Sequence, residues 1–405
     1  MVTIKSFRNG STLWVGSELK YPTVSYKLSS LPSINDLVLP IDALEFLDKP
    51  TEIIWQDGDY KFCGLVSEYT VDKSSETITL SADHIIKEWE FQTIPVNTTV
   101  KQRTLQSIFS DPVFNRDLWS ITYDTPATSE PIEYTYANQT KLQALNDTMN
   151  MTKDFFWRVD RCGCRDLQIG KFGENKDYLL GAVDKSDASI SLLENLTITK
   201  DFSNVINVAK AFSGNASNGM AQMTLREVYN NPGLWDPMFP IRQVASVPNT
   251  DYTYSEPDQP QIAPNNDFEY EVIDMEGVNL MNGIERQGSY QANDHYPIPE
   301  TDLAVNDSDR LLASEQLYKR VIRWLKRKRV IEHYEVTTSK LPCGINVGDK
   351  IRLAYSNSII ENLACSKQVK DILKVNKWIN VVEIVDDRDT SKIKLDVYLR
   401  EDSYA

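Results

Sequence analysis

The side chains best suited to chemistry are few and widely separated. The three histidines, His84, His295 and His333, each lie more than thirty residues from the next. No HExxH pattern therefore sets two imidazoles one helical turn apart, the spacing a zinc ion needs. His84 opens the run HIIKEWE, in which Ile85, Ile86 and Trp89 read as a short closing helix, and a packed imidazole is expected there. His295, in NDHYPIPE, has no Cys, His or carboxylate pair at ligand spacing, so no chemistry is assigned to it. Cysteines stand at 63, 162, 164, 343 and 365. Cys162 and Cys164 form a CxC without the second ligand pair that completes a zinc site. An odd, scattered set suits free thiols in a reducing compartment. A cysteine nucleophile would need an imidazole beside it in space, which the sequence leaves open for Cys63, Cys343 and Cys365; buried, inert strand cysteines are by far the favoured reading. GxSxG and a glycine-rich phosphate loop are both missing. Adjacent acids such as Asp386 and Asp387 carry little weight among 58 acidic residues. The expectation is a non-enzyme without cofactor or metal.

One charge cluster runs against the composition. Within the eleven residues from Lys319 to Arg329 there are seven basic ones: Lys319, Arg320, Arg323, Lys326, Arg327, Lys328 and Arg329. The chain as a whole has a formal net charge of -15, which argues against tight non-specific binding of nucleic acid. The run ends a helix expected over 307–329, capped by Ser308, with Leu311, Tyr318, Val321, Ile322 and Leu325 as its apolar stripe. Cations at a helix C-terminus complement its macrodipole and need no partner. Two other readings stay open: contact with an acidic surface of a neighbouring subunit, and nucleic acid.

The elements that would position these groups are mostly strands. Residues 15–95 read as a compact antiparallel unit, with alternating Val24, Tyr26 and Leu28, a strand Glu52–Trp55, a tight turn at Asp57-Gly58, a return over Tyr60–Val66, a polar turn at 72–76 and a strand Thr77–Ser81. Over 96–195, helical spacing at Val100–Phe109 and Gln139–Met151 mixes with strand-like WSITYDT, EYTYAN, FFWRVDR and DLQIGKF, as in a laterally inserted α+β domain. The central stretch LTITKDFSNVINVAKAF, residues 196–212, reads as two short strands joined by a bend, where Asn204 and Asn207 can tie their amides to nearby backbone. Nine of the 18 prolines fall in 213–305, which points to loops with short strands such as Tyr270–Ile273. Strands return at Ile331–Thr337, KIRLAY, Ala364–Val369, Ile372–Lys374, Trp378–Val385 and KIKLDVYL. The order of strands in 333–399 mimics that in 15–81, as in a split duplication.

At 405 residues the chain exceeds one typical core, so two to four domains are expected. No run approaches a membrane span of about 18 apolar residues. No secretory signal is read at the start.

The segments TEIIWQDGDYKFCGLVSEYTVDKSSETITLSA, LTITKDFSNVINVAKAF, INVGDKIRLAY and WINVVEIVDD resemble baseplate-hub or tail-tip proteins of tailed bacteriophages, and are similar to the amino-terminal part of tail-associated lysins. The resemblance implies an α+β, β-rich fold. Two related β-barrel, tube-like domains would lie at 1–95 and at 196–212 plus 330–405, with a lateral α+β domain at 96–195 and a loop-rich insertion at 213–329 ending in the basic helix. It implies a homotrimer whose six similar domains form a ring that caps the tail tube and opens for DNA ejection. Implied partners are the distal tail ring protein, the tape-measure protein and receptor-binding proteins, with DNA passing through the lumen unbound and no stable membrane insertion. The implied location is the virion tail tip, after assembly in the host cytoplasm. Arg320, Arg323, Lys326, Arg327, Lys328 and Arg329 are the candidate subunit-contact residues. The chain stops at Ala405 without an appended peptidase or muramidase domain, so no lytic activity is expected. A cell-wall-degrading enzyme of the tail tip and a carbohydrate-binding adhesin remain the alternative readings.

Overall fold

The computed structural model describes residues 1–397, except 8–9, 48, 96–97, 115–118, 124–131, 137, 152–154, 182–189, 214–224, 246–267, 293–306 and 355–361. The chain divides into two compact units, one of Met1–Lys200 with Ile331–Ala405 and one of Asp201–Val330.

The first unit begins with seven strands: β1 (Val2–Ser6), β2 (Thr12–Gly16), β3 (Thr23–Lys27), β4 (Ser33–Pro40), β5 (Thr51–Asp57), β6 (Tyr60–Asp72) and β7 (Thr77–His84). Period-two patterning builds them. Val2 and Ile4, Val24 and Tyr26, Ile53 and Trp55, and Ile78, Leu80 and Ala82 are buried in alternation with more exposed neighbours. Gly58, at φ +58°, makes the tight turn between β5 and β6, where Asp57 faces Tyr60. The next turn is held by Asp72, whose carboxylate accepts from the hydroxyls of Ser74 and Ser75 at 2.6 and 2.7 Å. Those bonds hold its carboxyl down at about 2.

The α+β part follows, with β8 (Thr98–Arg103), α1 (Leu105–Phe109), β9 (Ser120–Tyr123), β10 (Ile132–Tyr136), α2 (Lys141–Met151), β11 (Phe156–Val159) and β12 (Asp166–Gly170). Its core gathers Leu105, Ile108, Phe109, Leu142, Leu145 and Met149, the two stripes expected from spacing. The helix expected over Val100–Phe109 is shorter than its pattern. Thr98–Arg103 pairs with β10 as a strand, and the helix starts only after Thr104, whose hydroxyl accepts from Ser107 N at 3.2 Å. Consecutive Thr98, Thr99 and Val100 are β-branched, which favours the strand.

β13 (Asn175–Gly181) and β14 (Ile190–Asp201) lead to the second unit. After it come β19 (Ile331–Ser339), β20 (Lys350–Ala354), β21 (Asn376–Asp386) and β22 (Thr390–Asp396). The large sheet has thirteen strands in the order β2-β1-β5-β6-β7-β4-β3-β21-β20-β13-β14-β19-β22, and β21 pairs additionally with β22. The strands β21, β20, β13, β14, β19 and β22 are thus linked pairwise in a circuit. β3 joins β21 antiparallel, Tyr26 opposite Ile384, and one apolar core runs beneath both parts of the sheet. The strands expected over Ala364–Lys374 are replaced by a helix, Lys367–Leu373. Ser366 caps it, its hydroxyl accepting from Val369 N at 3.3 Å.

The second unit contains α3 (Arg226–Tyr229), β15 (Val208–Ser213), β16 (Ile241–Ala245), β17 (Phe268–Ile273), α4 (Met275–Leu280), β18 (Gln287–Ala292) and α5 (Asp307–Arg327), with strand order β16-β17-β15-β18. The expectation here was mainly loops, whereas the described residues form a sheet with its own core. The reason is that Pro248, Pro257, Pro260, Pro264, Pro297 and Pro299 fall outside the described residues, while the strands contain no proline. Pro232 starts a single 3₁₀ turn, where its missing N–H costs nothing. In α5, Leu317, Tyr318, Val321, Ile322 and Leu325 bury one stripe against Val228, Phe239, Ile241 and Val272. Each such aliphatic contributes about 2 kcal/mol, more than helix propensity alone supplies. Ser308 lies within the helix, which starts at Asp307. No helix among the described residues is long and apolar enough to cross a membrane.

Candidate functional site

The residues singled out for chemistry are not brought together. His84 is buried; its Nδ1 accepts from Ile86 N at 3.3 Å and so caps the 3₁₀ helix Ile85–Glu90. Burial, with Arg165 adding a smaller effect, pushes its pKa down to about 3, so the imidazole stays neutral and takes up no proton near neutral pH. His295 lies outside the described residues. His333 sits on β19 opposite Asp396. Asp386 and Asp387 diverge: the first turns inward to Arg161 and Ser391, and the second holds a turn through Arg388 N. Among the described residues no group of three or more His, Cys, Asp or Glu could hold a metal ion.

The cysteines overturn the free-thiol expectation. Cys63 is bonded to Cys164, with Cα atoms 5.1 Å apart, and Cys162 to Cys343, with Cα atoms 6.0 Å apart. Only Cys365, which is exposed, is free. Separations of 101 and 181 residues hide these pairs from any local reading. The CxC turn sends one sulfur to β6 and the other to the connection between β19 and β20, and so escapes both the zinc and the free-thiol patterns.

That turn, between β11 and β12, and the strand that leads into it are densely bonded. Arg158 lies at 2.7 Å from Asp349 and 2.7 Å from the carbonyl of Val347, and its guanidinium covers the Phe172 ring at 4.2 Å. The fully buried Arg161 side chain binds Asp386 and the carbonyl of Ile345, between the rings of Tyr26 and Tyr60. Asn346 accepts from Arg161 N at 3.1 Å. Arg165 reaches Glu88 at 2.7 Å, and Glu88 also receives the indole N–H of Trp119. Nearby, Lys340 packs over the rings of Tyr60 and Tyr21 at 4.1 and 4.7 Å, and burial lowers its pKa. The signal in the sequence was the string RVDRCGCRD, three arginines around two cysteines in an acidic chain.

The basic end of α5 proves largely internal. Arg320, Arg323 and Arg329 are buried, Lys326, Arg327 and Lys328 half-buried, and Lys319 exposed. Arg329 forks onto both oxygens of Asp274, at 2.6 and 2.9 Å, and reaches Glu276 at 2.6 Å. Asp274 meanwhile caps α4 through Gly277 N. The carbonyl of Lys328 accepts from Ile206 N at 2.9 Å. Asn207 behaves as its position implied, donating to the carbonyl of Ile284 and accepting from Arg286 N.

This architecture recurs in solved structures. A prophage tail protein, gp18 of Listeria monocytogenes, matches with a TM-score of 0.56 and 10% identity, over 100% of this chain and 96% of its own. The 43 kDa tail protein of prophage MuSo2 from Shewanella oneidensis matches with 0.56 and 12%, over 100% and 99%. A tail protein of Neisseria meningitidis matches with 0.52 and 11%, over 98% and 95%. The chain has the fold of phage tail proteins. No protein-family model and no curated protein matches the sequence. At such identities the shared feature is the path of the backbone, so the disulfides and arginine contacts described above rest on this chain's own residues.

Proposed function

We propose that the protein is a structural hub of a phage tail tip, three copies of which form a ring that caps the tail tube, anchors the distal tail ring and opens for DNA ejection. The observation that carries this reading is the match of fold over essentially the whole chain to tail proteins of two prophages. The circuit from β21 to β22 supports one tube-like barrel, and the strands β1–β7 are proposed as the related second one. Among the described residues edge strand β2 pairs only with β1 and leaves Val15 56% exposed, a surface that a neighbouring copy would cover. The net charge of -15 supports a lumen that does not hold DNA. At the basic helix end, Lys326, Arg327 and Lys328 are the residues proposed to meet an acidic neighbour, since Arg320, Arg323 and Arg329 are enclosed. The ring and tape-measure proteins are the proposed partners, the virion tail its location and the host cytoplasm its place of assembly.

Light scattering at several concentrations tests the ring: a mass near three times 46.3 kDa is expected. A monomer at every concentration, with no trimer when the adjoining tail ring is added, overturns it. Replacing Lys326, Arg327 and Lys328 by Glu is expected to reduce assembly; unchanged assembly removes them from the contact.

A further inference from the structure

The CxC turn joins three parts of the first unit covalently. Cys164 ties it to Cys63 on β6, in the first part of the large sheet, and Cys162 ties it to Cys343, in the connection between β19 and β20. The turn itself belongs to the α+β part, between β11 and β12. Cys63 is completely buried, but Cys162, Cys164 and Cys343 are only half-buried, so a small thiol or disulfide can reach one sulfur of each pair. Without the sulfur bonds the turn is still held by Arg158 on Asp349 and Arg161 on Asp386, which keep the partner sulfurs aligned for closure.

We propose that this turn is a redox-sensitive lock, open as dithiols in the thiol-rich cytosol where the chain is made and closed once the particle meets an oxidising medium. The change of compartment rests on the tail-tip reading; the chemistry of the turn does not. Closure is thiol–disulfide exchange with a low-molecular-weight disulfide. The Cys164 thiolate attacks the external disulfide and releases one small thiol, and the Cys63 thiolate then attacks the mixed disulfide and releases the second. Two protein thiols are oxidised and one external disulfide is reduced to two thiols, which carry away the two protons. The same exchange closes Cys162 on Cys343. The lock fastens the α+β part to both parts of the large sheet, so the unit no longer opens piecewise.

The test uses the full chain expressed in a reducing cytosol. Cells are quenched by lysis directly into urea containing N-ethylmaleimide, so that buried thiols react as well, and a second sample is purified, incubated with oxidised glutathione and alkylated in the same way. Mass spectrometry of unreduced peptides is expected to find all five cysteines alkylated in the quenched cells. After oxidation, Cys63 should be linked to Cys164 and Cys162 to Cys343, with Cys365 alone alkylated. Closing loops of this length should raise the melting temperature by about 10 °C, and dithiothreitol should return it. The paired change of Cys63→Ala and Cys164→Ala should remove about half of that rise. Links already complete in quenched cells overturn the switch, and so does oxidation that forms no links or leaves the melting temperature unchanged. These readouts hold for monomer and trimer alike, so a failure here and a failure of the ring are told apart by light scattering.

Discussion

Arg161 in the first unit and Arg329 in the second are both buried guanidiniums holding a buried carboxylate, yet they fasten different things. Arg161 binds Asp386, 225 residues away in the chain, and two disulfides leave the turn that carries it. Arg329 binds Asp274 and Glu276, 55 and 53 residues away, and fixes the end of α5 to the start of α4 in a unit whose sequence contains no cysteine. The first anchor holds together parts of a sheet that local sequence could never bring into register. The second finishes a helix–sheet packing that the apolar stripe of α5 already specifies.

The largest effect is expected from Arg161→Met, which leaves Asp386 buried with its hydrogen bond from Ser391 and the charge of Lys340 but without its ion-pair partner. Losing one partner of a buried pair costs about 3–5 kcal/mol. Urea unfolding of the oxidised chain followed by tryptophan fluorescence measures it, and an unchanged midpoint would mean that the sulfur bonds alone hold the turn. Arg329→Met should cost about 3 kcal/mol, since Asp274 keeps its bond to Gly277 N. Its signature is local: faster amide exchange in 268–292 with 51–84 unaffected.

Acid sharpens the contrast through His84, which belongs to the first unit. The folded state holds its pKa at about 3, whereas the unfolded chain binds a proton near 6.5. Between those values the unfolded state carries the extra proton, so stability is complete above pH 6.5 and falls as the pH drops towards 3. One proton gives about 1.4 kcal/mol per pH unit, so about 2 kcal/mol is lost between pH 6.5 and 5. His84→Asn keeps an acceptor for Ile86 N and should flatten that slope in denaturant titrations at each pH. The smallest effect belongs to Ser366→Ala, expected to lower the stability of the first unit by about 1 kcal/mol through loss of the cap, read by the same titration at neutral pH.

Much of the strand content was legible because burial on one face writes a period of two into the chain, as in Val24 and Tyr26 or Ile78 and Leu80. The stripe of α5 was legible for the matching helical reason, and Asn207 because a bend before a strand leaves backbone groups to satisfy. Partners were not legible. Nothing local tells Cys63 that it meets Cys164, or Arg161 that it meets Asp386, because those meetings follow from the order of strands in the sheet. Ala364–Lys374 misled because its scattered Val369, Ile372 and Leu373 fit a half-exposed helix as readily as short strands, and the deciding residue was the small cap Ser366. The basic run was visible as charge, but its inward-turned members depended on Asp274, whose place the sequence did not disclose.

The second unit interrupts the chain between β14 and β19, neighbours in the large sheet. On the first unit's side Lys200 and Glu332 lie 3.6 Å apart across that interruption, and on the other side Ile206 bonds to Lys328. An insert whose two ends meet can be lost, gained or exchanged by recombination as one block, without rethreading a single strand around it. The two portions of the gene are therefore free to diverge at different rates.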